Sequence, residues 1–102
     1  MKTNAIEEAL VERFLRYIKI PSQSKANGGK AVPSTEEQWD MARLLQSELK
    51  ELGVQDVSLS DKCVLTGRLP ANLPPDAPHV PAIGFCAHID TVDVSLSPVV
   101  KP

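Results

Sequence analysis

Residues 80–87, Val-Pro-Ala-Ile-Gly-Phe-Cys-Ala, constrain what this chain can fold into more than any other segment. The run is apolar on both alternating faces, the pattern of a strand covered by a layer on each side. Pro81 falls at its start, where a missing amide donor does little harm. The preceding sequence supplies two helices and one hairpin, and two helices cover one face of a three-stranded sheet and little more. Further chain, or a second copy, is therefore expected against this strand. On that expectation the 102 residues are not the whole functional unit.

The first helix is expected from about Ala5 to Ile18. Asn4 and Glu7 have capping-box spacing, and Ile6, Leu10, Phe14 and Tyr17/Ile18 recur at helical intervals. Pro21 stops its continuation. Residues 22–32 are polar, contain Gly28-Gly29 and read as a loop. Pro33-Ser34-Thr35-Glu36-Glu37 opens a second helix, with Ser34 as its expected N-cap and carboxylates at the positive end of the dipole. Met41, Leu44, Leu45, Leu49 and Leu52 form its stripe, Trp39 anchors it, and Gly53 supplies a left-handed closing residue. Residues 56–60 alternate as a half-buried strand, Asp61-Lys62 turn the chain, and Cys63 to Leu69 return as the hairpin partner. Four prolines within residues 70–79 exclude regular structure and mark a Pro-rich connection. The fold class is α/β, with two helices packed on a small mixed sheet.

Composition removes several functions. Eleven Lys and Arg against thirteen Asp and Glu leave no basic stripe, and the four aromatics are not interleaved with cations. No nucleic-acid partner is expected. No apolar run reaches membrane-spanning length, and Met1-Lys2-Thr3-Asn4 leads into charged residues, so no membrane partner or secretory signal is expected. Cys63 and Cys86 lack Cys-x-x-Cys spacing and read as reduced thiols of a cytoplasmic protein, although a bridge between them stays open.

The candidate chemistry lies directly after the apolar strand, at His88-Ile89-Asp90-Thr91. In open α/β sheets ligands gather beyond the carboxyl ends of strands. Imidazole is the commonest side-chain metal ligand. Two residues along an extended segment return Asp90 to the same face, where its carboxylate can orient the ring. A bare His-x-Asp is common, and an Asp after a strand is often only a turn residue. His79 reads as an exposed loop residue. Ser22, Ser24 and Ser34 have no paired base, and Cys86 reads as a packed strand residue.

Several segments taken together are more specific. Phe14-Leu15-Arg16-Tyr17, Gln23-Ser24, Val32-Pro33-Ser34-Thr35-Glu36, Leu69-Pro70-Ala71-Asn72 and Ile83-Gly84-Phe85 through His88-Ile89-Asp90-Thr91 occur in order and with compatible spacing. Over nearly its whole length the chain resembles the opening of peptidase T, a family of bacterial aminotripeptidases among the co-catalytic zinc exopeptidases. The resemblance implies a three-layer α/β/α catalytic domain, of which residues 1–102 are an incomplete amino-terminal part. It implies removal of the amino-terminal residue from tripeptides by water that two zinc ions activate, with a glutamate as base. His88 takes the place of one metal ligand, and Asp90 that of the catalytic partner which orients it. The family's other ligands and its base have no counterpart before Pro102, so at most one zinc ligand is present and this chain alone is expected to be inactive. Two alternatives remain. One is a related zinc dipeptidase or deacylase. The other is a small non-catalytic α/β interaction module that self-associates through residues 80–87.

Overall fold

A computed structural model describes residues 4–26 and 29–93, in the order α1 (Ala5–Tyr17), α2 (Glu37–Glu51), β1 (Gln55–Leu59) and β2 (Leu65–Arg68). Met1 to Thr3 and Gly28, which entered the sequence reading, lie outside the described residues. The architecture is a partial α/β domain: two helices and a two-stranded antiparallel sheet. The ladder is antiparallel rather than mixed. Parallel pairing is limited, among the described residues, to an isolated bridge between Gln23 and Thr91.

Local chemistry explains each element. Asn4 Oδ1 accepts from the Glu7 amide at 2.8 Å, and the Asn4 amide donates to Glu7 Oε2 at 3.3 Å. That reciprocal pair satisfies two donors which the first turn leaves without partners. Helix α2 starts later than the sequence suggests. The residue at its cap, Glu36, makes no side-chain capping bond. Ser34 is otherwise engaged, accepting from the Lys25 amide at 2.9 Å and from Gln38 Nε2 at 3.2 Å. Its hydroxyl ties a loop to the helix instead of capping it. At the far end Gly53 has φ +84°, a conformation that costs a side-chain-bearing residue energy.

The hairpin turns through Ser60 to Cys63, whose amide donates to Ser60 O at 3.0 Å. Cys63 follows in the left-handed region with φ 62°, as in hairpin loops that place a left-handed residue after a tight turn. The register shifts between Gln55 and Ser58, where Asp56 also has positive φ. Gly67 on β2 is required by space: a Cβ there would lie 2.6 Å from Val54 Cγ1. Helix α2 packs on both strands. Trp39 is half-buried on α2, with the Arg43 guanidinium 5.5 Å from its ring centroid.

The apolar core is small. Among the described residues only Met41 and Ala42 are buried hydrophobics, and no residue of α1 is buried. The α1 stripe that the periodicity picks out is exposed at Ile6, Leu10 and Phe14. Polar chemistry joins α1 to α2 in its place. Glu48, with its side chain 10 % exposed, accepts from Arg16 Nε at 2.7 Å, Arg13 Nη1 at 3.1 Å and the Tyr17 hydroxyl. Burial raises the Glu48 pKa, yet the hydrogen bonds from Tyr17 and Arg16 and the nearby positive charges leave it below the ordinary carboxylate value.

Residues 80–87 carry no ladder and lie open. Ile83 is 80 % and Phe85 96 % exposed, and Cys86 is also exposed. The sequence pattern of a strand covered on both faces is present, but no described segment lies beside it to donate or accept. The radius of gyration is 17.0 Å, against about 13 Å for a compact domain of 100 residues. Residues 70–79 contain no helix or strand, and His79 within them is exposed.

Two predictions follow from this packing. Glu48→Ala lowers the unfolding free energy by about 1–3 kcal/mol in urea titration, because it removes the acceptor of three hydrogen bonds at once. The Glu48 pKa is depressed by folding, so its contribution is complete above the unfolded carboxylate pKa and is lost as pH falls through the lower folded value. A Glu48→Ala protein as stable as the parent at neutral pH would contradict this. Cys86 and Cys63 are both free thiols, but Cys63 is half-buried and burial pushes its pKa up. Cys86 should therefore react with a disulfide reagent about tenfold faster or more, as two resolved phases; a single phase would contradict it.

Candidate functional site

The His88–Asp90 segment reaches the body of the protein through residues 22–24. The Thr91 amide donates to Ser22 O at 3.0 Å, and the Ser24 amide donates to Thr91 O at 3.0 Å. This is one unit of parallel pairing, with Ser22 only 2 % exposed beneath it. Side chains extend the seam. Ser24 Oγ donates to Thr91 O at 3.1 Å, Gln23 Nε2 donates to Val92 O at 3.1 Å, and Asp93 Oδ2 accepts from the Ala26 amide at 2.7 Å. From the other side Thr35 Oγ1 donates to Gln23 O at 2.7 Å, and Gln38 Nε2 of α2 donates to Thr35 Oγ1 at 3.0 Å. A chain of hydrogen bonds thus runs from α2 through the 22–35 loop to the tip at Thr91.

On that tip the two candidate residues meet. His88 Nδ1 lies 2.9 Å from Asp90 O and 3.1 Å from Asp90 Oδ1. A carbonyl oxygen and an ionised carboxylate are acceptors only, so Nδ1 carries the proton and donates. In the neutral ring the lone pair is then on Nε2, the nitrogen facing away from Asp90. The His88 side chain is 83 % exposed and that of Asp90 37 %. A hydrogen bond from the Ser24 hydroxyl is the leading influence on Asp90; it outweighs the cost of burial and, with His88, holds the carboxyl below its ordinary range.

Beside His88 opens a cavity of about 370 Å³, walled by Tyr17, Ile20, Met41, Leu45 and Ile89 and rimmed by Ser22 and Thr91. The imidazole stands at its edge, not within packed hydrocarbon. Among the described residues no group of three or more His, Cys, Asp and Glu side chains could hold a metal ion. Nε2 of His88 is a donor suited to one, and it stands without companions there.

The sequence reading brought His88 and Asp90 together, and the structure has them in contact. It set aside Ser24 and treated Ser34 as a cap, and so missed the seam these hydroxyls build. The available signal was that Gln23-Ser24 and Pro33-Ser34-Thr35-Glu36 both carried the resemblance although neither had a chemical role.

Comparison with known proteins agrees with that resemblance. The chain is 45 % identical over 100 residues, 98 % of its length, to a peptidase T-like protein of Yersinia pestis. It is 50 % identical over 84 residues, 82 % of its length, to peptidase T of Escherichia coli and of Shigella boydii. The chain belongs to the peptidase T family. It spans only 20–23 % of the length of these peptidase T relatives. No protein-family model matches it. No helix among the described residues is long and apolar enough to cross a membrane.

The site yields a test on Asp90 itself. Its folded pKa is depressed, so the stability it lends the tip is complete above the unfolded carboxylate pKa and disappears as pH falls through the folded value. A carbon-13 titration of the Asp90 carboxyl should give a midpoint below that of an ordinary exposed aspartate, ~3.9. A midpoint at or above that value would contradict the hydrogen bonds described.

Proposed function

We propose that this chain contributes one corner of the active site of a metal-dependent aminopeptidase acting on small peptides, tripeptides in particular. The observation carrying this reading is the His88–Asp90 contact, which leaves Nε2 as the free donor at the edge of an open cavity. The identity to proteins named peptidase T supports the peptidase part of it.

The donor set fits zinc. Neutral imidazole is a common zinc ligand, and a ligating histidine usually donates its other N–H to a carboxylate or carbonyl, as His88 does to both on Asp90. When bound, a zinc pair supplies a nucleophilic water at neutral pH and polarises the scissile carbonyl. This chain's own part is narrower. Asp90 accepts a hydrogen bond from Nδ1–H, fixes the tautomer and makes Nε2 the more basic nitrogen. The seam from Ser22 to Thr91 fixes where that nitrogen stands.

A catalytic zinc normally keeps three protein ligands, and the described residues offer His88 without companions. On this reading the remaining ligands and the general base belong to the other four fifths of a peptidase T chain. The 102 residues alone are then inactive. The exposed apolar segment at Ile83 and Phe85 is where that larger part packs. The same exposed face is what favours the second reading, a module that self-associates; sedimentation as a stable monomer at high concentration would contradict that one.

The test uses tripeptide hydrolysis with added zinc. The 102-residue chain should show no turnover. The same segment joined to the rest of a peptidase T relative should be active, and His88→Ala in that protein should remove activity by about 10³-fold or more, with loss of bound zinc. Full activity with His88→Ala, or enzyme-like turnover by the short chain, would overturn the reading.

A further inference from the structure

We infer that Gln38 is a positioning residue for the candidate site: its side-chain amide, donating to two hydroxyls at once, holds the 23–25 segment on which the His88–Thr91 tip is paired. The inference deepens the reading of His88 as a ligand and rests on that reading for its meaning in catalysis.

Gln38 lies in the first turn of α2 and is 9 % exposed. Its Nε2 donates to Ser34 Oγ at 3.2 Å and to Thr35 Oγ1 at 3.0 Å, which uses both protons of the amide nitrogen. The two hydroxyls then act on opposite sides of Ser24. Thr35 Oγ1 donates to Gln23 O at 2.7 Å, and Ser34 Oγ accepts from the Lys25 amide at 2.9 Å. In the same stretch Ser22 O and the Ser24 amide make the two backbone bonds to Thr91. Ser24, Ser34 and Thr35 are half-buried and Lys25 is exposed, so their bonds compete with water. Gln38 is the buried member, where a polar group without a partner costs more. It also stands on the helix that packs on both strands, so it ties the tip to the best-anchored element of the fold.

Backbone groups fix the direction of each bond. Gln23 O can only accept, so the single Thr35 hydroxyl proton points to it. Thr35 Oγ1 then has only lone pairs left for Gln38, and the group facing it has to be the amide nitrogen. The Lys25 amide can only donate, so Ser34 Oγ accepts there as well. A carboxylate at position 38 would have the same shape and offer no donor. It would compete with Gln23 O for the Thr35 proton and turn the relay around. The role therefore belongs to the donor pair of the glutamine and not to its volume. A residue that served α2 alone would act on the helix and on the hairpin packed against it. One that positions the tip acts on Ser24, Lys25 and Thr91, and the two patterns are measurable without any metal.

The experiment follows solvent exchange of backbone amides by NMR on the nitrogen-15-labelled 102-residue chain. Gln38→Glu keeps the shape and removes the donors; Gln38→Met removes them without adding a charge. Both should speed exchange at Ser24, Lys25 and Thr91 by about 5- to 10-fold. The amides of Val54 and Ser60, bonded at the end of α2 and in the hairpin, should be unchanged. In a Ser34→Ala/Thr35→Val background the relay is already cut, and Gln38→Met should add less than about 2-fold. Unchanged exchange at Ser24 and Thr91 in both variants, equal acceleration at Val54 and Ser60, or a full additional effect in that background would overturn the inference. In a complete peptidase T containing this segment, Gln38→Met should lower kcat by about 10-fold or more with KM little changed. A parent-like kcat there would overturn the positioning role. If instead His88→Ala left that enzyme active, the reading of His88 as a ligand would fall while the exchange result stood.

Discussion

The single unit of parallel pairing between residues 22–24 and Thr91 is what gives this chain a site. Without it residues 80–93 would be an extended tail hanging from a Pro-rich connection, and His88 would have no fixed relation to either helix. The pairing is short, only two backbone hydrogen bonds. Side chains reinforce it, Gln23 and Ser24 from one segment and Asp93 from the other, with Thr35 of the preceding loop and Gln38 of α2 behind them. Each bond is worth little alone in water. Linked in series from a helix to a strand end, they define the position of one imidazole.

The same economy governs the rest of the fold. With Met41 and Ala42 as the buried apolar residues among those described, hydrophobic burial cannot be the main cohesion between α1 and α2. Glu48 supplies it by collecting two arginines and a tyrosine on a partly desolvated carboxylate. The arginines remain partly hydrated, so the arrangement escapes much of the penalty of a fully buried ion pair. Meanwhile Ile83 and Phe85, chemically the natural centre of a core, face outward. They stand in an extended apolar segment without a ladder partner among the described residues, and the peptidase T relatives are four to five times as long as the chain.

What could be read from the residues was what local chemistry controls. The capping box at Asn4 and Glu7, the left-handed Gly53 and the turn at Asp61-Lys62 depend on neighbours three or four positions away, and all three are present. The His88–Asp90 contact is of the same kind, since extended backbone returns alternate residues to one face. Long-range choices were hidden. Ser34 has the right neighbours for a cap, but Lys25 and Gln38 claim its oxygen. The α1 stripe has helical period yet finds no apolar partner, because period says which face is apolar and not what covers it. Ser24 acts across 67 positions, on Thr91, and no local pattern encodes such a contact.

The central claim is that His88 offers Nε2 to a metal while Asp90 holds Nδ1. Anomalous diffraction at the zinc edge, on a zinc-loaded crystal of a complete peptidase T containing this segment, tests it most directly. The account predicts a zinc peak about 2.0–2.1 Å from His88 Nε2, with Nδ1 still against Asp90. A zinc peak on Nδ1, or zinc bound with the His88 ring left in solvent, would contradict it.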